Sequence, residues 1–276
     1  MDSKYFNTMT NILVTPDIHG RTFWKEPIAH KDEFDHIIFL GDYFDPYPAE
    51  YIDQLGAIDN FKELIESFTE DEIDGKVEFL LGNHDGGYLY DILEASRVAK
   101  NPTIIKEITS LLINLRDKNQ LKINTWITIK NITYLFTHAG INKEWVDRHP
   151  ELCDVDYPGI LYQKFNDSPI AIDVLPDKYI DWMSIGEVGR YRGGWNRTGG
   201  PLWCDIKEFI SQPKFSPYYQ VFGHTQLKDY ITKDTIKKEN PNINCEDFAC
   251  LDCRKAFVID ETGIHEWSTY SSTSLK

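Results

Sequence analysis

The chain has 276 residues, 41% of them hydrophobic and 26% charged, enough for one sizeable core in one large domain or two small ones. Its 29 basic and 44 acidic side chains leave a net charge of −15, which argues against counterion-driven binding to nucleic acid or to an anionic membrane. No apolar run approaches the ~20 residues of a membrane span, and the start MDSKYFNTMTNILV lacks the basic-then-apolar order of a secretory signal, so the expected location is the cytoplasm. The odd count of five cysteines fits a reducing compartment. Of these, Cys245, Cys250 and Cys253 lack the fourth thiol and the paired spacing of a zinc site, and the FACLDC alternation reads as a strand with small half-buried side chains.

In chain order, strand-like runs are expected at Asn11–Thr15, His36–Leu40 and Val77–Leu81, each rich in branched apolar residues and closed by polar residues or glycine. Between the second and third, Ile52, Leu55, Ile58, Phe61, Leu64 and Ile65 recur at helical spacing over 51–68. A second helix is predicted over 103–117, behind Pro102 at its start. Residues 121–129 and 132–137 read as neighbouring strands across a Lys130–Asn131 turn, with further helices over 142–149 and 159–165. Short strands are expected at 219–222, 249–251, 256–259 and 264–267, the last two joined by Glu261-Thr262-Gly263. The pattern predicts an α/β (α+β) fold in one domain spanning 1–276: a four-layer αββα sandwich of two mixed sheets, one from each half of the chain, with helices outside. Residues 183–203, rich in Gly, Arg and Trp and without a period, are expected to form an ordered functional loop.

The chemistry is concentrated at strand ends. The first run delivers Asp17-Ile18-His19-Gly20, the second Gly41-Asp42-Tyr43-Phe44-Asp45, and the third Gly82-Asn83-His84-Asp85. His138-Ala139-Gly140 and Gly223-His224-Thr225 follow later, so that four of the eight histidines lie in these segments. Extended alternation puts Asp17 and His19 on one face, within reach of one ion. A carboxylate such as Asp42 can lend its oxygens to two ions roughly 3.5–4 Å apart. Asn83 adds a carbonyl oxygen, and His138 and His224 add imidazole nitrogens, a mixed N/O set that suits Mn, Fe or Zn better than calcium. Any one of these segments is weak alone; five in order, each closing an apolar run, are not a coincidence.

This ordered set resembles the calcineurin-like metallophosphoesterases, closest to the serine/threonine phosphoprotein phosphatase and diadenosine-tetraphosphate hydrolase branch. The matching motifs run from 17 to 225, and Leu251-Asp252 with the hairpin after it is similar to that branch's ending. The resemblance implies a metal-dependent phosphoesterase with two divalent cations, manganese foremost and Fe, Zn, Ni or Mg as alternatives. Asp17 and His19 would hold the first cation, Asp42 would bridge, and Asn83, His138 and His224 would complete the second. A hydroxide between the ions would attack phosphorus in line with the departing oxygen. His84 is similar to the family's general acid, Asp45 to the carboxylate that orients it, and Asn83 could also touch a phosphate oxygen. Gln226 stands where the nuclease and cyclic-nucleotide branches carry a second histidine, which favours the phosphatase-like branch.

One departure is chemically significant. Pro46 occupies the place of the family's phosphate-gripping arginine, and a pyrrolidine ring cannot replace a bidentate guanidinium. The candidates for that task are Arg197, then Arg192, with Arg21 third; the alternative is that these arginines are solvated or paired with acids. Trp182, Trp195 and Trp203 either line a substrate cleft or pack the loop down. The leading expectation is a phosphomonoesterase acting on a phosphoprotein or a small phosphate ester, without membrane or nucleic-acid partners. A dinucleoside polyphosphate hydrolase is the enzymatic alternative, and a catalytically inactive metal-binding module the non-enzymatic one. The sequence carries no sign of oligomeric state.

Overall fold

The structure is a computed structural model, described here for residues 10–89, 97–150 and 184–268. The helix expected over 159–165, and Trp182, lie outside the described residues.

The first sheet is built on β1 (Ile12–Thr15), β2 (His36–Phe39), β3 (Val77–Leu80) and β4 (Leu121–Lys122), all parallel. The second contains β5 (Asn124–Ile129), β6 (Ile132–Thr137), β7 (Tyr219–Phe222), β8 (Ile231–Thr232) and β9 (Asp247–Cys250) in the order β5-β6-β7-β9-β8, with β6, β7 and β9 parallel. The chain then returns to the first sheet. The hairpin β10 (Phe257–Asp260) and β11 (Gly263–Glu266) adds to its edge, with β10 antiparallel to β1 and Ile12 opposite Ile259. This corrects the expectation of one sheet from each half of the chain. The single strand expected over 121–129 is also two, because Ile123 marks a step from one sheet to the other.

The layers follow from the side-chain alternation of the strands. Ile12, Val14, Ile38, Leu40 and Leu80 of the first sheet and its ends meet Tyr134, Phe136, Val221 and Ala249 of the second in a buried middle layer. Leu13, Ile37, Phe39 and Phe79 point the other way, toward α2 (Gln54–Glu66) and α5 (Pro102–Asp117). In α2, Ile58, Phe61 and Leu64 are buried on one stripe, and Asp53 caps the start by accepting from the Gly56 amide at 2.9 Å. In α5, Asn101 caps and Pro102 opens the helix, and Ile108, Leu112 and Leu115 face inward. Each such aromatic or branched side chain contributes about 1.5–3 kcal/mol by leaving water. Beyond the second sheet, Phe222, Phe248 and Cys250 pack against Ile206 and Phe209 of α7 (Ile206–Ile210). Two mixed sheets with helices on both outer faces result, in agreement with the expected sandwich.

Shorter helices complete the described chain: α1 (Lys25–Ile28), α3 (Glu70–Gly75), α4 (Asn83–Leu89), α6 (Lys143–Arg148) and α8 (Lys233–Glu239). Of these α4 matters most, since it begins at Asn83 and carries the third motif into a buried helical turn. Among the described residues no helix is long and apolar enough to cross a membrane. Cys204, Cys245, Cys250 and Cys253 are free and buried.

Candidate metal centre

Parallel strands end together, and here both sheets present their carboxyl ends to one buried region. Asp17 and His19 follow β1, Asp42 and Asp45 follow β2, and Asn83 and His84 follow β3; His138 follows β6 and His224 follows β7. All eight are buried. His19, Asp42, Asp45 and His224 have φ of 46°, 53°, 58° and 62°, the left-handed region that Asp and His enter more readily than bulky residues. Four such residues at one site mark a backbone held against its preference at about 1–3 kcal/mol each.

Glycine makes the approach possible. A Cβ on Gly82 would lie 2.1 Å from Asp42 Oδ1, and one on Gly223 would lie 2.0 Å from Asp17 Oδ1. Asp85 then ties the loops together, its carboxylate accepting the amides of Asp42 at 2.6 Å, Gly82 at 2.9 Å and Tyr43 at 3.0 Å. Burial still outweighs those bonds and pushes its carboxyl up to about 7.

Two groups of donor atoms share Asp42. In the first, His19, Asp42 and His84 bring one ligand atom each to within 4.8 Å of one another; in the second, Asp42, His138 and His224 do so. Asp42 Oδ2 lies 3.4 Å from His19 Nε2 and 3.5 Å from His138 Nε2. Asn83 Oδ1 joins the second group, 2.9 Å from His138 Nε2 and 2.8 Å from His224 Nδ1, and the two imidazole nitrogens are 3.2 Å apart. The Asp17 carboxylate is oriented by the His224 amide, which donates to it at 2.9 and 3.1 Å.

The chemistry of this set fits divalent cations. The Nδ1 of His138 lies 2.8 Å from the Leu40 carbonyl and that of His19 lies 2.7 Å from the Phe44 carbonyl, contacts in which the ring nitrogen must donate. Each ring therefore offers its Nε2 lone pair to the centre, as a metal-ligating histidine does. The Nε2 of His138 lies beside the Asn83 amide oxygen and the Nδ1 of His224, three atoms that could each donate a lone pair to one cation. Burial, followed by neighbouring positive groups, lowers His19 and His224 well below the ordinary histidine range and keeps them neutral, the form that binds metal. Burial foremost raises Asp42 well above the carboxylate range.

Asp45 stands outside both groups and holds His84, whose Nδ1 is 2.7 Å from Asp45 Oδ2. Its other oxygen accepts from Tyr88 at 2.5 Å and Gln54 at 2.7 Å, which fixes the carboxylate plane.

A family model of calcineurin-like phosphoesterases matches residues 10–230. The chain belongs to the calcineurin-like phosphoesterases. No curated protein matches it significantly by sequence. Among solved structures, a cold-active protein-tyrosine phosphatase of a psychrophilic Shewanella species aligns over 93% of this chain and 77% of its own, with a TM-score of 0.52 at 17% identity. A second cold-active protein tyrosine phosphatase structure aligns over 93% and 75%, with a TM-score of 0.50 at 18% identity. At these identities the likeness is one of fold. Family membership makes this calcineurin-like phosphoesterase a hydrolase of phosphate esters that depends on divalent metal.

Each of the three expected arginines of the phosphoesterase is paired with an acidic side chain. Arg197, 73% exposed at its side chain, pairs with Glu144 at 3.3 Å. Arg192 pairs with Asp205 at 2.9 Å and donates to Thr225 Oγ1 at 2.9 Å and to the His224 carbonyl at 3.4 Å, which places it behind a ligand loop. Arg21 is buried, bonded to Glu50 at 2.9 Å and to the Asp17 carbonyl at 3.2 Å. The guanidinium beside His84 is Arg97, a residue no motif singled out. Its Nη2 lies 3.5 Å from His84 Nε2, its Nε donates to the Asp45 carbonyl at 3.1 Å, and its plane covers the Tyr47 ring at 3.7 Å. Trp203 meets His224 edge-on at 5.7 Å, whereas Trp195 is 97% exposed and packs nothing down.

Proposed function

We propose that this phosphoesterase hydrolyses phosphate monoesters, with phosphoproteins as the leading substrate class and small phosphate esters beside them. The observation that carries this reading is the meeting of the Asp45–His84 pair with Arg97 on one side of the candidate metal centre. A terminal phosphate exposes three anionic oxygens and one ester oxygen. Asp17, His19 and Asp42 would hold one divalent cation, and Asn83, His138 and His224 with Asp42 a second. When bound, such cations supply Lewis acidity toward phosphoryl oxygens and lower the pKa of water.

The chain's own residues supply the rest. Nδ1 of His84 is engaged by Asp45, so the proton it would pass to a departing oxygen is carried on Nε2. Arg97, anchored through Nε and its ring contact, directs Nη2 into the same space, and a phosphate oxygen would accept from both. In this assignment Arg97 takes the task of the arginine absent at Pro46. The tyrosine-phosphatase description of the Shewanella relative adds phosphotyrosine to the substrates worth testing. Manganese is the first cation to supply, on the strength of the mixed oxygen and nitrogen donors.

The deciding experiment uses purified protein stripped with a chelator and reloaded separately with Mn, Ni, Mg and Zn. It is assayed on p-nitrophenyl phosphate, on phosphoserine, phosphothreonine and phosphotyrosine peptides, and on diadenosine tetraphosphate. Chelation should abolish turnover and manganese should restore it, with phosphopeptides preferred. Cleavage of the dinucleotide alone would overturn the substrate assignment in favour of a dinucleoside polyphosphate hydrolase. Arg97→Ala should lower kcat/KM for p-nitrophenyl phosphate about 10- to 100-fold, the value of one charge-assisted hydrogen bond at about 1.5–3 kcal/mol. Metal content should stay at the wild-type level. Unchanged kcat/KM in that variant would remove Arg97 from phosphate binding.

A further inference from the structure

Asp45, which orients His84, is also the anchor of the segment that carries Arg97. The two residues share an uncommon backbone conformation, with φ of 58° at Asp45 and 68° at Arg97. Side chains crowd this left-handed region, so a residue other than glycine stays there only where its neighbours hold it. One side chain touches both. The amide of Gln54, at the first position of α2, accepts from the Asp45 N–H at 3.3 Å and donates to the Arg97 carbonyl at 2.9 Å. A carbonyl can only accept and a backbone N–H can only donate, which fixes the ends of the amide. Gln54 donates as well to Asp45 Oδ1 at 2.7 Å, so its nitrogen and its oxygen are both engaged.

Tyr88 of α4 makes the second link. Its hydroxyl lies 2.8 Å from the Ala99 amide and 2.5 Å from Asp45 Oδ1. The amide must donate, so the phenol accepts there and directs its one proton to the carboxylate. Tyr88 is 4% exposed, and its own carbonyl accepts from the Thr109 hydroxyl of α5 at 3.1 Å. Asp45 Oδ1 thus receives both links to the Arg97 segment, while Oδ2 faces His84 Nδ1 at 2.7 Å. Arg97 returns the contact through Nε, which donates to the Asp45 carbonyl at 3.1 Å.

We propose that Gln54 and Tyr88 are positioning residues that hold the Asp45–His84 pair and Arg97 as one unit. The acid and the phosphate-binding guanidinium then face the reacting ester in a fixed register. The role rests on the proposed function, in which His84 passes a proton and Arg97 binds a phosphate oxygen. Cutting either link should loosen both groups together, whereas a residue that merely fills space would change stability alone.

The test uses full-length, manganese-loaded wild type, Gln54→Met, Tyr88→Phe, His84→Ala, Arg97→Ala and the double variant Gln54→Met/Arg97→Ala. Competitive inhibition by inorganic phosphate reads the guanidinium. The ratio of kcat on phenyl phosphate to kcat on p-nitrophenyl phosphate reads the acid, because the poorer leaving group needs the proton more. Gln54→Met and Tyr88→Phe nearly keep the side-chain volume. Each should raise the phosphate inhibition constant about 3- to 10-fold and lower the kcat ratio by a similar factor, well within the cost of a small misplacement. Metal content should not change. In the Arg97→Ala background Gln54→Met should leave the inhibition constant where Arg97→Ala put it, since the group it positions is gone, yet still lower the ratio. Each single variant tests a link by itself, so one that fails to fold leaves the other decisive. Variants that melt lower but keep both wild-type readouts would make Gln54 and Tyr88 purely structural, and a change in one readout alone would overturn the joint role. Should His84→Ala leave the ratio unchanged, or Arg97→Ala the inhibition constant, the roles beneath the proposal fail, whatever Gln54 and Tyr88 do.

Discussion

Asp42→Asn is expected to lower turnover of p-nitrophenyl phosphate by about 1000-fold or more and to strip at least one cation from the protein. Oδ2 of Asp42 faces His19 on one side and His138 on the other, so the two donor groups meet in this one carboxylate. An amide keeps one oxygen, but its NH2 cannot ligate a cation. Stabilisation of transition-state charge by a cation is worth several kcal/mol, and three decades of rate correspond to about 4 kcal/mol. The fold should survive. Burial, with the charges of Asp17 and Asp85, already holds the Asp42 carboxyl well above the usual range, so a neutral side chain suits the metal-free protein. Turnover on the substrate and metal content by elemental analysis check this together, and wild-type values of both would remove Asp42 from the centre.

His84→Ala separates acid chemistry from metal binding. General acid catalysis is worth roughly 10²–10⁴ in rate, and a loss in that range is expected for this variant with metal content unchanged. The loss should be steeper for phenyl phosphate than for p-nitrophenyl phosphate, because the poorer leaving group needs the proton more. His84 also brings a ligand atom within 4.8 Å of those of His19 and Asp42, so a ligand role is the competing assignment. The structure favours the acid role through the Nδ1 contact with Asp45 at 2.7 Å and the proximity of Nε2 to Arg97. A variant that loses a cation and shows the same loss on both esters would decide for the ligand.

Much of this site was legible because its parts are local. Asp17-Ile18-His19, Gly41-Asp42 and Gly223-His224 each announce a strand end by residue type alone, and the sheets bring those ends together. The remainder depends on contacts that no window of sequence contains. Arg97 reaches the Asp45 carbonyl from 52 residues away and belongs to no motif. The helical turn at Asn83–Leu89 was obscured by Gly86 and Gly87, which lower helix propensity by about 1 kcal/mol each. The division of 121–129 at Ile123 is a tertiary choice between two sheets that a continuous apolar pattern does not record. Arg197 and Arg192 lie just before Pro201-Leu202-Trp203 in the chain, whereas their carboxylate partners Glu144 and Asp205 come from α6 and the cap of α7.

The return of β10 to the side of β1 has a consequence for biosynthesis. Ile12 leaves the ribosome long before Ile259, and the bond from the His224 amide to Asp17 closes a loop of 207 residues. Pairings so distant form slowly, after the entropy of closing the loop has been overcome. A nascent chain therefore exposes Asp17, His19, Asp42 and His84 to whatever cations are at hand before their distal counterparts exist. The candidate centre is therefore complete only once β7, with His224 just beyond it, has joined the second sheet.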